Sequence, residues 1–205
     1  AARCAFPSPV PGEVKAAWCA RGRLVETQSL CEGIFPMSWA QDIVDHLKIY
    51  DVRFLSYVPD SILEQILRIA RHDPFFDILP LAREEEGVGV VAGQHVGGQR
   101  GAVLMPTSGV GNAINALASL AIPYHIPMPL FIGWRGDLGE FNATQVLMGQ
   151  ALRPILEALR IPFFVLTHPE EVPMLLDGGL KLTYALEQPV AFLLSTQLAG
   201  WKDEK

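Results

Sequence analysis

The sequence predicts a single doubly wound α/β domain, with a six-stranded parallel sheet and helices on both faces. Strand-length apolar runs alternate with segments of helical periodicity from Ser38 to Leu194. The runs are short and mostly apolar, as strands covered on both faces must be. Acidic and glycine-rich residues also gather where strands give way to helices, the edge at which open α/β sheets hold their ligands.

Each element has its own signal. Ser38 followed by Gln41 reads as a capping box, and Ile43, Val44, Leu47 and Tyr50 recur at helical spacing, so a first helix is expected to end near Tyr50. Residues 53–58 form a strand candidate. Asp60 can cap a helix that carries Ile62, Leu63, Ile66, Leu67 and Ile69. Residues 76–81 read as a strand, 84–97 as a helix and 102–105 as a strand. A loop at 107–109, a helix over 110–120, a strand at 130–133 and a helix over 144–159 follow. Residues 163–166, 169–186 and 190–194 complete the series as strand, helix and strand.

The third helix contains Gly87, Gly89, Gly93 and Gly97. Each glycine costs about 1 kcal/mol relative to alanine in a helix, so close packing on the sheet or across a subunit interface is expected to compensate. Self-association is an expectation from the same helix.

Bulk properties narrow the function. Half of the 205 residues are apolar, which suits one domain with a full core. A net charge of −6 without a Lys/Arg cluster gives no footprint for nucleic acid or an anionic membrane. The apolar runs fall far short of the roughly 20 residues of a membrane span, so a soluble, cytoplasmic protein is expected.

Cys4, Cys19 and Cys31 all precede Met37, the first methionine, which leaves the folded body without a disulfide framework or thiolate metal site. Residues 1–36 are patternless and carry Pro7, Pro9, Pro11 and Pro36. They read as a disordered or non-native extension, with native translation expected at Met37 and the domain spanning 37–205. His46, His72, His95, His125 and His168 are dispersed, without the spacing of a zinc helix motif.

Three segments follow strands and should converge on one sheet edge: 83–87, 106–112 and 133–137. Glu85 stands within Arg83-Glu84-Glu85-Glu86-Gly87, where a solvated first-turn acid is the ordinary alternative to a catalytic one. In Thr107-Ser108-Gly109-Val110-Gly111-Asn112, backbone N–H groups at a helix start can cradle a polar or anionic group. Ser108 and Asn112 can bond substrate or cofactor, or cap the helix. Arg135 can meet an anionic substrate head or pair with Asp137 or Glu140.

Taken in order, these three segments resemble the pyrimidine-binding domain of thiamine-diphosphate-dependent decarboxylases. Specifically, they resemble the alpha subunit of sulfopyruvate decarboxylase and the matching part of phosphonopyruvate decarboxylase, over residues 37–196. In that family an acid followed by one variable residue and then Gly or Asn bonds N1′ of the cofactor's aminopyrimidine. Aligned on Gly87, that acid is Glu85, which the resemblance makes both catalytic and cofactor-binding. Sharing a proton with N1′ favours the imino form that activates C2 for attack on a 2-oxo acid.

The resemblance also implies cofactor contacts from Ser108, Gly109, Gly111 and Asn112, and substrate contacts from Arg135, Ser108 and Asn112. The adjacent His pair of pyruvate decarboxylases is missing between Trp134 and Gln150, which argues against pyruvate as substrate. Asp177-Gly178-Gly179 lies inside a predicted helix and has no distal Asn, so it does not match the family's Mg²⁺ and diphosphate motif. A beta subunit is therefore expected to hold Mg²⁺ and the diphosphate of a shared thiamine diphosphate, in a homo- or hetero-oligomer acting on a small anionic 2-oxo acid. Sulfopyruvate, giving sulfoacetaldehyde and CO₂, is the first expectation; a phosphonopyruvate decarboxylase-like subunit and a non-catalytic, self-associating domain are the alternatives.

Overall fold

A computed structural model of the protein describes residues 38–200. The expectations for residues 1–36 lie outside the described residues. The strands are β1 (Val52–Tyr57), β2 (Asp77–Pro80), β3 (Arg100–Pro106), β4 (Met128–Trp134), β5 (Phe163–Leu166) and β6 (Pro189–Ser195). The helices are α1 (Trp39–Ile49), α2 (Glu64–Ala70), α3 (Glu84–Val96), α4 (Thr107–Ala116), α5 (Ala143–Ala158), α6 (Val172–Leu186) and the short α7 (Thr196–Ala199). All pairings are parallel, in the order β2-β1-β3-β4-β6-β5. The chain moves outward from β1 to β2 and returns past β1 to β3, which makes the β1/β3 boundary a topological switch point.

Strand alternation divides the core into two layers. Leu55, Leu104, Phe131 and Phe192 face α1, α2 and α6, whereas Val103, Leu130, Ile132 and Leu193 face α3, α4 and α5. The central strands β4 and β6 are buried along their whole length, while the edge strands β2 and β5 have four residues each. Short edges limit pairing with other chains.

Local chemistry sets the element ends. Ser38 Oγ accepts from the Gln41 amide at 3.3 Å, but the Gln41 side chain donates to Asp45 instead of reaching back, so only half of the capping box forms. Asp60 Oδ1 accepts from the Ile62 amide at 2.8 Å and holds the turn into α2. The loop expected at 107–109 is absent, because α4 begins at Thr107 directly after Pro106. Proline suits this junction: it ends the β3 ladder and needs no N–H bond. The helix expected over 110–120 changes to a π-helical turn at Leu117–Ala121.

The glycines of α3 divide in role. A Cβ on Gly87 would meet Leu81, Ser56 and Val103 at 3.0–3.1 Å, so this glycine lets the helix approach the sheet. Gly89 and Gly93 have nothing within 4 Å of a Cβ, and border an open apolar groove with Val96, Leu120 and Tyr124. Packing on the sheet therefore accounts for the first glycine only.

Asp177-Gly178-Gly179 lies within α6 as expected, and the two glycines there differ sharply. A Cβ on Gly179 would stand 2.5 Å from Phe192 Cε1, against a ring that stacks on Phe131 with centroids 5.0 Å apart. Gly178 has open space. Urea denaturation should show Gly179→Ala destabilised by about 1–3 kcal/mol through overpacking. Gly178→Ala should be stabilised by up to about 1 kcal/mol through helix propensity; equal effects would contradict the packing described.

Candidate active site

Four connections meet at the carboxyl edge of β1, β3 and β4. Thr107, at the start of α4, ties two of them together. Its buried Oγ1 donates to the Gly133 carbonyl at 2.7 Å and accepts from the Arg135 amide at 2.9 Å. A third enters from β1: a Cβ on Gly133 would lie 2.5 Å from Asp60 Oδ1, so glycine at the end of β4 makes room for the turn that opens α2. The fourth is the first turn of α3.

The three consecutive glutamates of that turn have different surroundings. Successive helical side chains point about 100° apart, so they cannot share one environment. Glu84 is only 7% exposed and lies against α4. Its Oε2 accepts from Asn112 Nδ2 at 2.9 Å. A Cβ on Gly109 would overlap Glu84 Cγ and stand 2.7 Å from Glu84 Cδ and Oε1, so the absent side chain of Gly109 is the space Glu84 fills. Glu85 is half-buried. Its Oε1 pairs with exposed Arg83 at 2.6 Å, while its Oε2 is buried without a hydrogen-bond partner among the described residues. Glu86 is exposed.

Neither α3 nor α4 has a side-chain cap on its first N–H groups. At α4 these belong to Thr107, Ser108 and Gly109, and a helix start of this kind can meet a polar or anionic acceptor. Ser108 is exposed beside them. Gly111 instead faces α5, where a Cβ would meet Met148 Cε at 3.2 Å.

Arg135 has a structural partner, and of the two carboxylates considered from sequence it is Glu140. Arg135 Nε and Nη2 reach the two Glu140 oxygens at 2.9 and 2.7 Å. The amides of Gly136 and Asn142 also donate to that carboxylate. Burial alone would raise the Glu140 pKa, but these bonds outweigh it and hold the carboxyl below its usual range. The connection is pressed onto α5 as well, with Gly136 at φ +84° against Gly149, and Trp134 Nε1 donating to the Gly149 carbonyl at 3.1 Å.

A cleft of about 210 Å³ adjoins this connection, lined by Gln65, Arg135, Glu140 and Thr196 among others. It does not include Glu84, Glu85, Ser108 or Asn112. The predicted site residues thus form two neighbouring groups, one around Glu84 and one around Arg135, bridged by Thr107. Sequence reasoning gave Glu84 and Thr107 no role in the site, and left Glu140 as one of two possible partners for Arg135. For Glu84 a signal existed in Gly109 and Asn112, one helical turn apart on α4.

No family model matches the chain. It is 39% identical over 154 residues to sulfopyruvate decarboxylase subunit alpha of Methanococcus maripaludis, covering 75% of this chain and 91% of that protein. The chain belongs to the sulfopyruvate decarboxylase alpha-subunit family. The Methanothermobacter thermautotrophicus member of that family is 39% identical over 148 residues, 72% of this chain and 90% of its own length. Phosphonopyruvate decarboxylase of Streptomyces viridochromogenes is 34% identical over 122 residues, 59% of this chain and 31% of that protein. Among solved structures, a 2-oxoglutarate:ferredoxin oxidoreductase from Magnetococcus marinus has the same fold, with a TM-score of 0.62 at 14% identity over 80% of this chain and 29% of that one.

In this family member, the Arg135–Glu140 pair is buried enough that removing one partner strands the other. Glu140→Ala should lower stability by about 3 kcal/mol, the usual cost of breaking a buried pair, and calorimetry should show it as a lower Tm. Because the folded-state pKa of Glu140 is depressed, its contribution is complete above the unfolded carboxyl value of about 4.3 and is lost as pH falls through the folded value. The Tm difference between parent and Glu140→Ala should accordingly shrink on acidification below that range; a constant difference would contradict the assignment.

Proposed function

We propose that this chain is the pyrimidine-binding alpha subunit of a thiamine-diphosphate-dependent sulfopyruvate decarboxylase. It would convert sulfopyruvate to sulfoacetaldehyde and CO₂ together with a beta chain that holds Mg²⁺ and the cofactor's diphosphate. The observation that carries this reading is the first turn of α3, which brings carboxyl groups to the carboxyl edge of the sheet in a chain with this ancestry. When bound, thiamine diphosphate supplies the carbon nucleophile and accepts the electron pair released with CO₂.

The residues fit the aminopyrimidine end of that cofactor. A carboxyl is needed to share a proton with N1′, and the buried, unpartnered Oε2 of Glu85 is an acceptor in want of a donor. The family's acid-x-Gly pattern, aligned on Gly87, supports Glu85 in that role. One observation favours Glu84 instead: it is the deeper of the two and is held toward the α4 turn by Asn112. The uncapped N–H groups of α4, with Ser108 beside them, offer donors for a polar group. Among the described residues, no group of three or more His, Cys, Asp or Glu side chains is arranged to hold a metal ion.

Arg135 is the proposed contact for the anionic head of the substrate. Nε and Nη2 are committed to Glu140, which leaves Nη1 for another acceptor, and Arg135 lines the adjoining cleft. The cleft is smaller than the roughly 300 Å³ at which small-molecule sites begin, which supports a site completed by another chain. No helix among the described residues is long and apolar enough to cross a membrane.

Decarboxylation of sulfopyruvate, with phosphonopyruvate and pyruvate as comparators, should be measured with and without the candidate beta chain in thiamine diphosphate and Mg²⁺. CO₂ release from sulfopyruvate only with both chains is the expected result. Preference for phosphonopyruvate would move the assignment to that relative, and no release from an assembled complex would favour the non-catalytic alternative. Glu84→Gln and Glu85→Gln should fold and assemble, and the variant that loses nearly all turnover identifies the carboxyl. Full activity in both would refute a carboxyl role for this turn.

A further inference from the structure

We propose that Glu84 is a positioning residue: wedged in the notch at Gly109 and held by Asn112, it locks the first turn of α3 to α4 and so aims Glu85 at the ligand. This inference rests on the reading of Glu85 as the working carboxyl, and gives Glu84 no chemical step of its own.

Glu84 stands where the pattern of α3 calls for an apolar residue. With Gly87, Val88 and Val91 it forms a buried stripe at i, i+3, i+4 and i+7, the inward face of a helix. A carboxyl group in that place costs free energy unless it is bonded. Asn112 supplies the bond, its Nδ2 donating to Oε2 at 2.9 Å, and Gly109 supplies the room, with Cγ, Cδ and Oε1 lying where its Cβ would be. The Asn112 side chain, a cofactor or substrate contact on the sequence reading, is engaged here with Glu84.

This contact bears on the direction of Glu85. α3 has no side-chain cap at Arg83, so its start is tied to α4 through Glu84. Gly87, almost one turn later, brings the helix close to Leu81, Ser56 and Val103. Two fixed points on one face set the rotation of a helix about its axis. Glu85 follows Glu84 by about 100°, and at that rotation its Oε2 is buried and without a partner among the described residues while Oε1 meets Arg83. The Arg83 pair is a poor source of the same aim, because Arg83 is exposed and surface ion pairs hold side chains weakly.

The first arm of the test uses the free chain, without cofactor. The amides of Val88 and Gly89 bond back to the first-turn carbonyls in the helical pattern. In hydrogen exchange followed by NMR, Glu84→Ala should speed their exchange about 2- to 10-fold, the effect of one lost hydrogen bond, and leave Val91 and Ala92 unchanged. Glu84→Gln, which keeps the shape and an oxygen for Asn112, should match the parent. Equal acceleration along the whole of α3, or none at its start, would overturn the inference.

The second arm uses the assembled complex loaded with thiamine diphosphate and follows exchange of the cofactor's C2 proton in D₂O by quenched NMR, a readout that needs no substrate. Glu84→Ala should slow exchange about 10- to 100-fold, the range expected for a misplaced group. Asn112→Ala should slow it in the same direction, and Glu84→Gln should restore most of the parent rate. In turnover, kcat should fall in parallel while KM for sulfopyruvate changes little. If Glu85→Gln abolishes exchange while Glu84→Ala matches the parent, the positioning role falls and Glu85 stands. Glu84→Gln as slow as Glu85→Gln would make the Glu84 carboxyl a reacting group and overturn the inference. If Glu85→Gln exchanges at the parent rate, the Glu85 reading itself fails and takes this inference with it.

Discussion

The geometry at the carboxyl edge depends on one hydroxyl group. Thr107 Oγ1 satisfies a carbonyl at the end of β4 and an amide one residue beyond it, acting as donor and acceptor in one buried position. A hydroxyl can do both; a valine of nearly the same shape can do neither and would leave two backbone groups without partners. The bridge fixes where α4 starts relative to the connection that carries Arg135. Because α4 also carries Gly109 and Asn112, the same bridge sets the distance between the Arg135 group and the Glu84 group.

Small residues place the remaining pieces. Gly133 admits the Asp60 turn, Gly109 admits Glu84, and Gly149 admits the backbone of the connection after β4. At each point a missing side chain lets a functional or structural group occupy space at the sheet edge that a Cβ would otherwise fill. The Arg135–Glu140 pair then holds the last connection in shape, with two backbone amides completing the carboxylate's bonds. That saturation is what makes a buried ion pair tolerable.

Much of the fold could be read from the sequence because the strands are short apolar runs separated by clear helical periodicity, and all six were found near their expected positions. The candidate site was legible at the level of segments but not of single side chains. Three glutamates in one helical turn differ only in the direction each faces, and that direction depends on the packing of Gly87 against Ser56 and Val103. The choice of Glu140 over Asp137 for Arg135 likewise turns on a backbone bend at Gly136 with positive φ. Thr107 looked like a loop residue because Ser, Gly and Pro surround it. Its bonds come from residues 26 and 28 positions later in the chain, beyond the reach of any local pattern.

Those long separations bear on how the protein is made. Parallel pairing is non-local, so the sheet must close large chain loops before its contacts repay the entropy, and folding of this kind is slow. The Thr107 bridge can form only after β3 and β4 have paired, and the packing of Gly149 requires α5 to have docked as well. On the ribosome, the emerging chain would therefore contain Glu84 and Asn112 well before it contains the scaffold that fixes the loops beside them. The contact of Glu84 with Gly109 and Asn112 links only α3 and α4, whereas the Arg135 group waits for the second half of the domain. The two halves of the candidate site thus belong to different stages of folding, and Thr107 is the residue that joins them.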